Sequence, residues 1–294
     1  MRHTDIIRAR VQAAEAARVK YPVTHSILGP RTEVIFGDCR SVLPTLPVSP
    51  KLIFADPPFN IGQRYHSFTD KIPEADYLGF TEEWVWRAWE LLKDGVLAIH
   101  VPDNVARMVI KLEGTLGLTP LAWYIMHYRF GEIQENNWVN SKCHLLIYSK
   151  GNYTWNSNSV LVDTDRATVY NDSRTDESGT PGKRVPLDVF GIPSDGQFWG
   201  RVPGNSAERW IISKGALVDH PNQLPEVYLE RVIKAYTSRG DLVLDPFGGS
   251  GTTGTVSRAL QRPSISIEAG ELTAQSAFLR MKRGAIRVKM ERFE

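Results

Sequence analysis

Apolar residues along the chain fall into two patterns: short runs bounded by turn residues, and stretches in which they recur every three or four positions. Thr32 to Gly37 and Lys51 to Asp56 are runs of the first kind, each followed by a polar or proline-rich turn, and they predict strands. Between Tyr77 and Leu92 the positions Tyr77, Phe80, Trp84, Ala88 and Leu91 share one helical face, and Asp94-Gly95 supplies a stop. Trp84 lies on that stripe and reads as core, whereas Trp86 falls off it. Val96 to Val101, Leu118 to Tyr128 and His144 to Ser149 read as further strands. Strands alternating with helices predict a mainly parallel sheet.

The pattern breaks from Gly151 to about Lys214, where Asn, Ser, Thr, Asp, Gly and Pro predominate without a sustained period, as in NDSRTDESGTPGKR. Regularity returns at Pro225. A helix through Tyr228, Arg231, Val232 and Tyr236 ends at Arg239-Gly240, and the strand LVLDPF follows. A Gly/Thr loop, a helix opening at about Ser250 and running to Leu260, a strand from Ser264 to Ile267 ending at Glu268, and a last helix complete the chain. The expected organisation is one α/β domain in two halves, residues 1–150 and 215–294, with residues 151–214 inserted between them.

Composition narrows the class. A chain of 294 residues with 42% hydrophobic content has enough material for one large α/β domain. Two cysteines, Cys39 and Cys143, give no disulfide framework, and seven scattered histidines lack zinc spacing, so no metal is expected. The first twenty residues are too charged for a secretory apolar core, and no apolar run approaches the roughly 20 residues that span a bilayer. A soluble, cytoplasmic protein is expected. The net charge of +2 does not by itself announce a nucleic-acid binder, so any such contact has to come from local patches.

Two motifs carry chemistry. In Leu242 to Gly254 an apolar strand ends in Asp245 and turns through Gly248, Gly249 and Gly251 into a helix. Glycines there let the backbone turn tightly and approach a ligand. The next strand ends in Glu268, where α/β nucleotide sites place the carboxylate that holds ribose hydroxyls, which implies an adenosine-containing ligand. The loop lacks the lysine of a phosphate-binding loop, and a packing turn is the bland alternative.

The second motif, Asp56-Pro57-Pro58-Phe59, follows the strand LIFA directly. Two prolines stiffen a loop that exposes a carboxylate, a carbonyl and an aromatic face together. Those are the groups needed to activate an exocyclic base amine, whose lone pair is delocalised into its ring. Accepting both N–H hydrogens on Asp56 and the Pro57 carbonyl would free that lone pair, while Phe59 stacks on the base. Read alone, the motif is also compatible with a simple turn.

Together, DPPF in the first quarter and DPFGGSGTT near the end resemble the beta class of DNA amino-methyltransferases, in which the catalytic motif precedes the cofactor loop. Gly37-Asp38, DGVLAIHV, Cys143-His144-Leu145 and the segment His220 to Pro225 (HPNQLP) are similar to further elements of that family. The resemblance implies a Rossmann-like sheet with helices on both faces, S-adenosylmethionine as cofactor, and transfer to adenine N6, with cytosine N4 as the alternative. It assigns Asp56, Pro57, Pro58 and Phe59 to catalysis and base stacking. It assigns Asp38, His220, Asn222, Gln223, Asp245, Phe247, Gly248, Gly249, Ser250, Gly251, Thr252 and Glu268 to the cofactor. Two positions depart from the family: Phe59 stands where tyrosine is commoner, and Leu224 where lysine is usual, so a cation near the cofactor or helix start is missing.

The implied partner is double-stranded DNA with the target base flipped out. Oligomeric state is open in the sequence, the resemblance leaning toward a homodimer. The insertion is expected to recognise the target through Arg166, Arg174, Lys183, Arg184, Arg201 and Arg209, interleaved with Trp155, Phe198, Trp199 and Trp210, although acidic residues are mixed among them. The run Arg280, Lys282, Arg283, Arg287 and Lys289 reads as a solvated face. Two other classes stand beside the catalytic DNA enzyme. One is a non-catalytic nucleic-acid-binding partner, disfavoured by the intact Asp56 and glycine loop; the other is a methyltransferase of RNA or protein glutamine, disfavoured by the motif order.

Overall fold

The structure, a computed structural model, describes residues 24–27, 29–66, 68–128, 135–136, 138–164, 182–191, 202 and 206–291. In chain order these form β1 (Thr24–Ile27), β2 (Thr32–Phe36), the one-turn helix α1 (Cys39–Val42), β3 (Leu52–Ala55), α2 (Glu74–Leu91), β4 (Gly95–Val101) and α3 (Asp103–Leu116). There follow β5 (Pro120–His127), β6 (Lys142–Lys150), the two-residue strands β7 (Val162–Asp163), β8 (Lys183–Arg184) and β9 (Val189–Phe190), then α4 (Glu226–Tyr236), β10 (Val243–Asp245), α5 (Thr252–Ala259), β11 (Ser264–Glu268) and α6 (Glu271–Arg283).

Nine strands make one sheet in the order β1-β2-β11-β10-β3-β4-β6-β5-β9, and β7 and β8 form a separate ribbon. The consecutive strands β2, β11, β10, β3 and β4 are mutually parallel. β6 runs antiparallel to both β4 and β5. The expected parallel sheet is thus real at its centre; beyond β4 only β6 runs in the opposite sense, and β5 and β9 return to the direction of the central strands.

Alternation along the central strands explains the layering. Ile53 and Ala55 of β3 face one core with Leu97 and Ile99 of β4, covered by Trp84, Val85 and Ala88 of α2 and by Val105 and Val109 of α3. Leu52 and Phe54 face the other side with Val96, Ala98 and Val243, beneath Tyr228, Leu229, Val232 and Ile233 of α4 and Val256 of α5. Strands buried on both faces read as continuous apolar runs, which is why LIFA shows no alternation in sequence. α6 packs Ala274, Ala277 and Met281 against Val34 of β2.

α3 was not anticipated from the sequence, although its signals are present. Val105, Val109 and Leu112 are buried at helical spacing, and Gly117 closes the helix in the left-handed conformation at φ 66°. Within residues 151–214, β9 extends the main sheet by pairing with β5, Ile125 against Val189. No helix among the described residues is long and apolar enough to cross a membrane.

Candidate active site

Four neighbouring parallel strands each deliver a carboxylate to the same edge of the sheet: Asp38 just after β2, Glu268 ending β11, Asp245 ending β10 and Asp56 just after β3. Adjacent strands lie about 4.8 Å apart, so the strand order itself sets the spacing of this row. Ligands of open α/β sheets bind at this carboxyl edge. Here a cavity of about 280 Å³ occupies it.

The DPPF loop is held from three sides. Tyr77, in the first turn of α2, donates its hydroxyl to the Pro58 carbonyl at 2.6 Å. The Phe59 amide donates to Asp70 Oδ2 at 3.1 Å. Asn60, at φ 59°, uses its side chain to accept from the Ile72 amide at 2.8 Å and donate to the Ile72 carbonyl at 3.0 Å. Segment 60–72 is therefore tied back at its base, and it places Tyr65 and Phe68 in the cavity wall. Tyr65 stacks on Phe68 with centroids 4.9 Å apart and tilts against His220 at 5.5 Å. Nothing among the described residues donates a hydrogen bond to the Asp56 carboxylate, which lines the cavity.

The glycine loop is shaped by the neighbouring carboxylates. Asp245 Oδ1 accepts from the Phe247 amide at 2.9 Å, and Glu268 Oε2 accepts from the Gly249 amide at 2.9 Å. Gly251, at φ 76°, packs so closely on α6 that a Cβ would lie 3.0 Å from the Ala277 carbonyl. Phe247 is pinned edge-on to Trp84 at 5.1 Å and to Phe80 at 6.1 Å, giving the cavity an apolar wall suited to a flat ring. The core role expected of Trp84 thus reaches the site. Asp38 caps α1, accepting from the Arg40 amide at 2.8 Å, and pairs with the Arg40 guanidinium at 2.6 Å.

Burial dominates the electrostatics. It pushes the Asp56 carboxyl well above the usual range, with the Asp245 charge adding to it. It raises Asp245 to about 6 despite hydrogen bonds from Thr253 and the Phe247 amide, and raises Glu268 despite three backbone amides. His220 is driven down to about 4 by burial and by Arg209 and Arg280, so its imidazole is neutral near pH 7. The cavity thus gathers carboxyl groups that are costly to ionise together, and a cationic ligand would relieve that cost.

The cavity brings together Asp38, Asp56, Pro57, Pro58, Phe59, His220, Asn222, Asp245, Phe247, Gly248, Gly249, Ser250, Thr252 and Glu268, all anticipated from sequence. Gln223 and Gly251 do not line it. Gln223 is buried, accepting from the Trp210 amide at 2.8 Å and donating to the Glu208 carbonyl at 2.7 Å. Tyr65, Phe68 and Phe80 line the cavity and were missed, their signal lying only in aromatics following the DPPF turn.

The cationic candidates fare differently. Arg166, Arg174 and Arg201 lie outside the described residues, as do Phe198 and Trp199. Lys183 pairs with Asp163 at 2.5 Å, and Arg184 donates to the Val185 carbonyl at 3.2 Å. Arg209 is half-buried and donates to the Pro221 carbonyl at 3.2 Å, beside the cofactor segment. Trp210 is buried and donates its indole N–H to Ser276, so it packs the core instead of stacking on bases. Arg280, expected on a solvated face, is fully buried. Among the described residues no group of three or more His, Cys, Asp or Glu is arranged to hold a metal ion.

A doubly covered parallel sheet with a glycine loop and a row of carboxylates at its carboxyl edge is the architecture of a nucleotide-type ligand site, and the DPPF loop lines the same cavity. Comparison with known proteins specifies the class. A family profile described as DNA methylase (N6_N4_Mtase) matches residues 51–278, and the chain belongs to that family. The protein is 29% identical over 244 residues to the DNA adenine methyltransferase YhdJ of Escherichia coli (strain K12), covering 80% of this chain and 77% of that one. In structure it resembles PvuII DNA methyltransferase (cytosine-N4-specific), with TM-score 0.62, 17% identity and coverage of 84% and 85%. It also resembles M1.HpyAVI solved as a SAM complex, with TM-score 0.56, 17% identity and coverage of 84% and 98%.

Proposed function

We propose that this DNA methyltransferase carries a methyl group from S-adenosylmethionine to the N6 amine of adenine. The observation that carries the reading is the row of carboxylates on adjacent strands, with Asp56, unpartnered among the described residues, beside the glycine loop. The residues fit the cofactor: an apolar wall of Phe80, Phe247 and Ile267 for its adenine, Glu268 for its ribose hydroxyls, and an anionic cavity for its positive charge. When bound, the cofactor supplies an electrophilic methyl on a sulfonium.

The chain's own residues do the rest. Asp56 and the Pro57 carbonyl accept the two N–H hydrogens of the target amine, drawing nitrogen toward tetrahedral geometry and exposing its lone pair. Phe59 stacks on the base, and the Tyr77 bond to Pro58 holds the loop in register, which fixes the direction of attack. A carboxylate with raised proton affinity is also suited to take the amine proton as the C–N bond forms.

A base amine stacked inside a duplex is out of reach of an enclosed active site, so double-stranded DNA is proposed to be taken by base flipping. Residues 151–214 are the proposed target-recognition insertion between catalytic and cofactor halves, with Lys183 and Arg184 of its ribbon as DNA contacts; a homodimer is the proposed assembly. Adenine is favoured by the name of the YhdJ relative and by the Asp at the head of the Pro-Pro turn; the cytosine-N4 title of the PvuII structure supports the second reading. Mass spectrometry of nucleosides from DNA treated with the enzyme is expected to find N6-methyladenine. A mass gain confined to deoxycytidine would replace adenine by cytosine and leave methyl transfer intact.

The buried carboxyls give a pH prediction. Asp245 titrates at about 6 in the ligand-free cavity, and a bound cation favours its ionised form. Binding should therefore release protons, and affinity should rise from roughly pH 5 to 7 before levelling. Calorimetry in two buffers of different ionisation enthalpy should give different heats at pH 6; identical heats would remove the carboxylates from cofactor binding.

A further inference from the structure

Arg280 lies in the last turn of α6 with its side chain 3% exposed, and it reaches the back of the cofactor loop. Its Nη1 donates to the Ser250 carbonyl at 3.3 Å, to Ser250 Oγ at 3.2 Å and to Thr252 Oγ1 at 2.6 Å. Its Nη2 donates to Glu226 Oε1 at 3.2 Å. The Glu226 side chain is 1% exposed, and its Oε2 accepts from the Ile286 amide at 2.8 Å and the Arg287 amide at 2.7 Å. One buried ion pair thus joins the cofactor loop, the start of α4 and the segment after α6.

Ordinary stabilisation does not account for this arrangement. A cation beside the N-terminus of α5 opposes that helix's dipole, and buried ion pairs are commonly no more stabilising than apolar packing. What the guanidinium does is specify conformation. Because both hydroxyls accept from Arg280, their hydrogens must point elsewhere; Thr252 Oγ1 lies 3.4 Å from the Leu224 carbonyl and 3.1 Å from Ser250 Oγ. Ser250, Thr252 and Leu224 all line the cavity.

We infer that Arg280, anchored by Glu226, is the positioning residue that sets the shape of the cofactor loop, so that cofactor affinity is governed from α6 and the segment following it. This rests on the cofactor reading above. Loss of the fork should weaken cofactor binding through the loop and leave Asp56 and its base-binding loop untouched.

The test is calorimetric binding of S-adenosylmethionine to the full chain, with thermal melting and steady-state kinetics alongside. Arg280→Lys keeps the charge and loses the fork; it is expected to raise the Kd for the cofactor roughly tenfold, with the effect falling on cofactor KM rather than kcat. Glu226→Gln keeps an acceptor for the backbone amides but removes the anchoring charge, and a smaller rise of about threefold is expected. A lowered melting temperature with unchanged Kd and KM in both single variants would reduce the pair to a structural role and overturn the inference. Failure of the unsubstituted protein to bind S-adenosylmethionine would instead overturn the cofactor reading, and this inference with it.

Discussion

Asp56→Ala is expected to reduce methyl transfer by two to three orders of magnitude or more, the loss typical when a preorganised transition-state hydrogen-bonding group is removed. Cofactor binding should stay within about tenfold, because Asp245, Glu268 and Asp38 remain in the cavity and the substitution changes no backbone conformation. Asp56→Asn separates charge from shape: it keeps one carbonyl acceptor but is expected to remain severely impaired. Stability should move the other way. The folded-state pKa of Asp56 is raised, so its ionisation opposes folding as pH climbs above the unfolded value. At pH 8 Asp56→Ala should melt no lower than the unsubstituted protein, the trade expected of a group kept for chemistry. Single-turnover methylation with saturating cofactor and DNA checks the first claim; near-normal rates there would remove Asp56 from catalysis.

Gly249→Val should abolish measurable cofactor binding at micromolar concentrations while leaving most of the fold intact. Gly249 sits at φ 48°, where a β-branched residue is strained, and an added Cβ would lie 3.0 Å from His220 Nε2. Either the loop rotates, breaking the hydrogen bond that the Gly249 amide donates to Glu268, or His220 is driven out of the cavity wall. Both outcomes damage the same pocket, and a left-handed non-glycine residue costs about 1 to 3 kcal/mol in addition. Gly249→Ala, with less bulk, should show an intermediate loss. Unchanged affinity in a folded Gly249→Val protein would place the cofactor elsewhere.

Much of this site is legible in the sequence, for a physical reason. Asp56, Asp245 and Glu268 each follow an apolar run, and in a parallel sheet the end of a run is also the ligand edge. The glycines and prolines marked the loops because those residues determine backbone shape locally. Tyr65 and Phe68 were not legible, because their place in the wall depends on segment 60–72 folding back through Asn60 and Asp70. Arg280 was misread for the complementary reason: a cation in a charged run looks solvated until a buried partner, here Glu226 more than fifty positions away, is brought beside it. Trp210 was misread similarly, since its partner Ser276 belongs to another element. α3 was simply overlooked, and its Val105, Val109, Leu112 and Gly117 pattern is as clear as that of α2.

The sheet order has a consequence for how the molecule comes into being. β10 and β11 occupy the places between β2 and β3, so the centre of the sheet is filled by residues 243–268. During synthesis β2 and β3 emerge before β10 and β11 and have no partners on their facing edges until residues 243–268 have been made. Pairings so distant in sequence form slowly, and the waiting edges are exposed meanwhile to pairing with other chains. A nascent chain halted before Val243 would carry the entire DPPF loop and still have neither a closed sheet nor a cofactor pocket, so methylation competence should arise late and abruptly rather than accumulate with length.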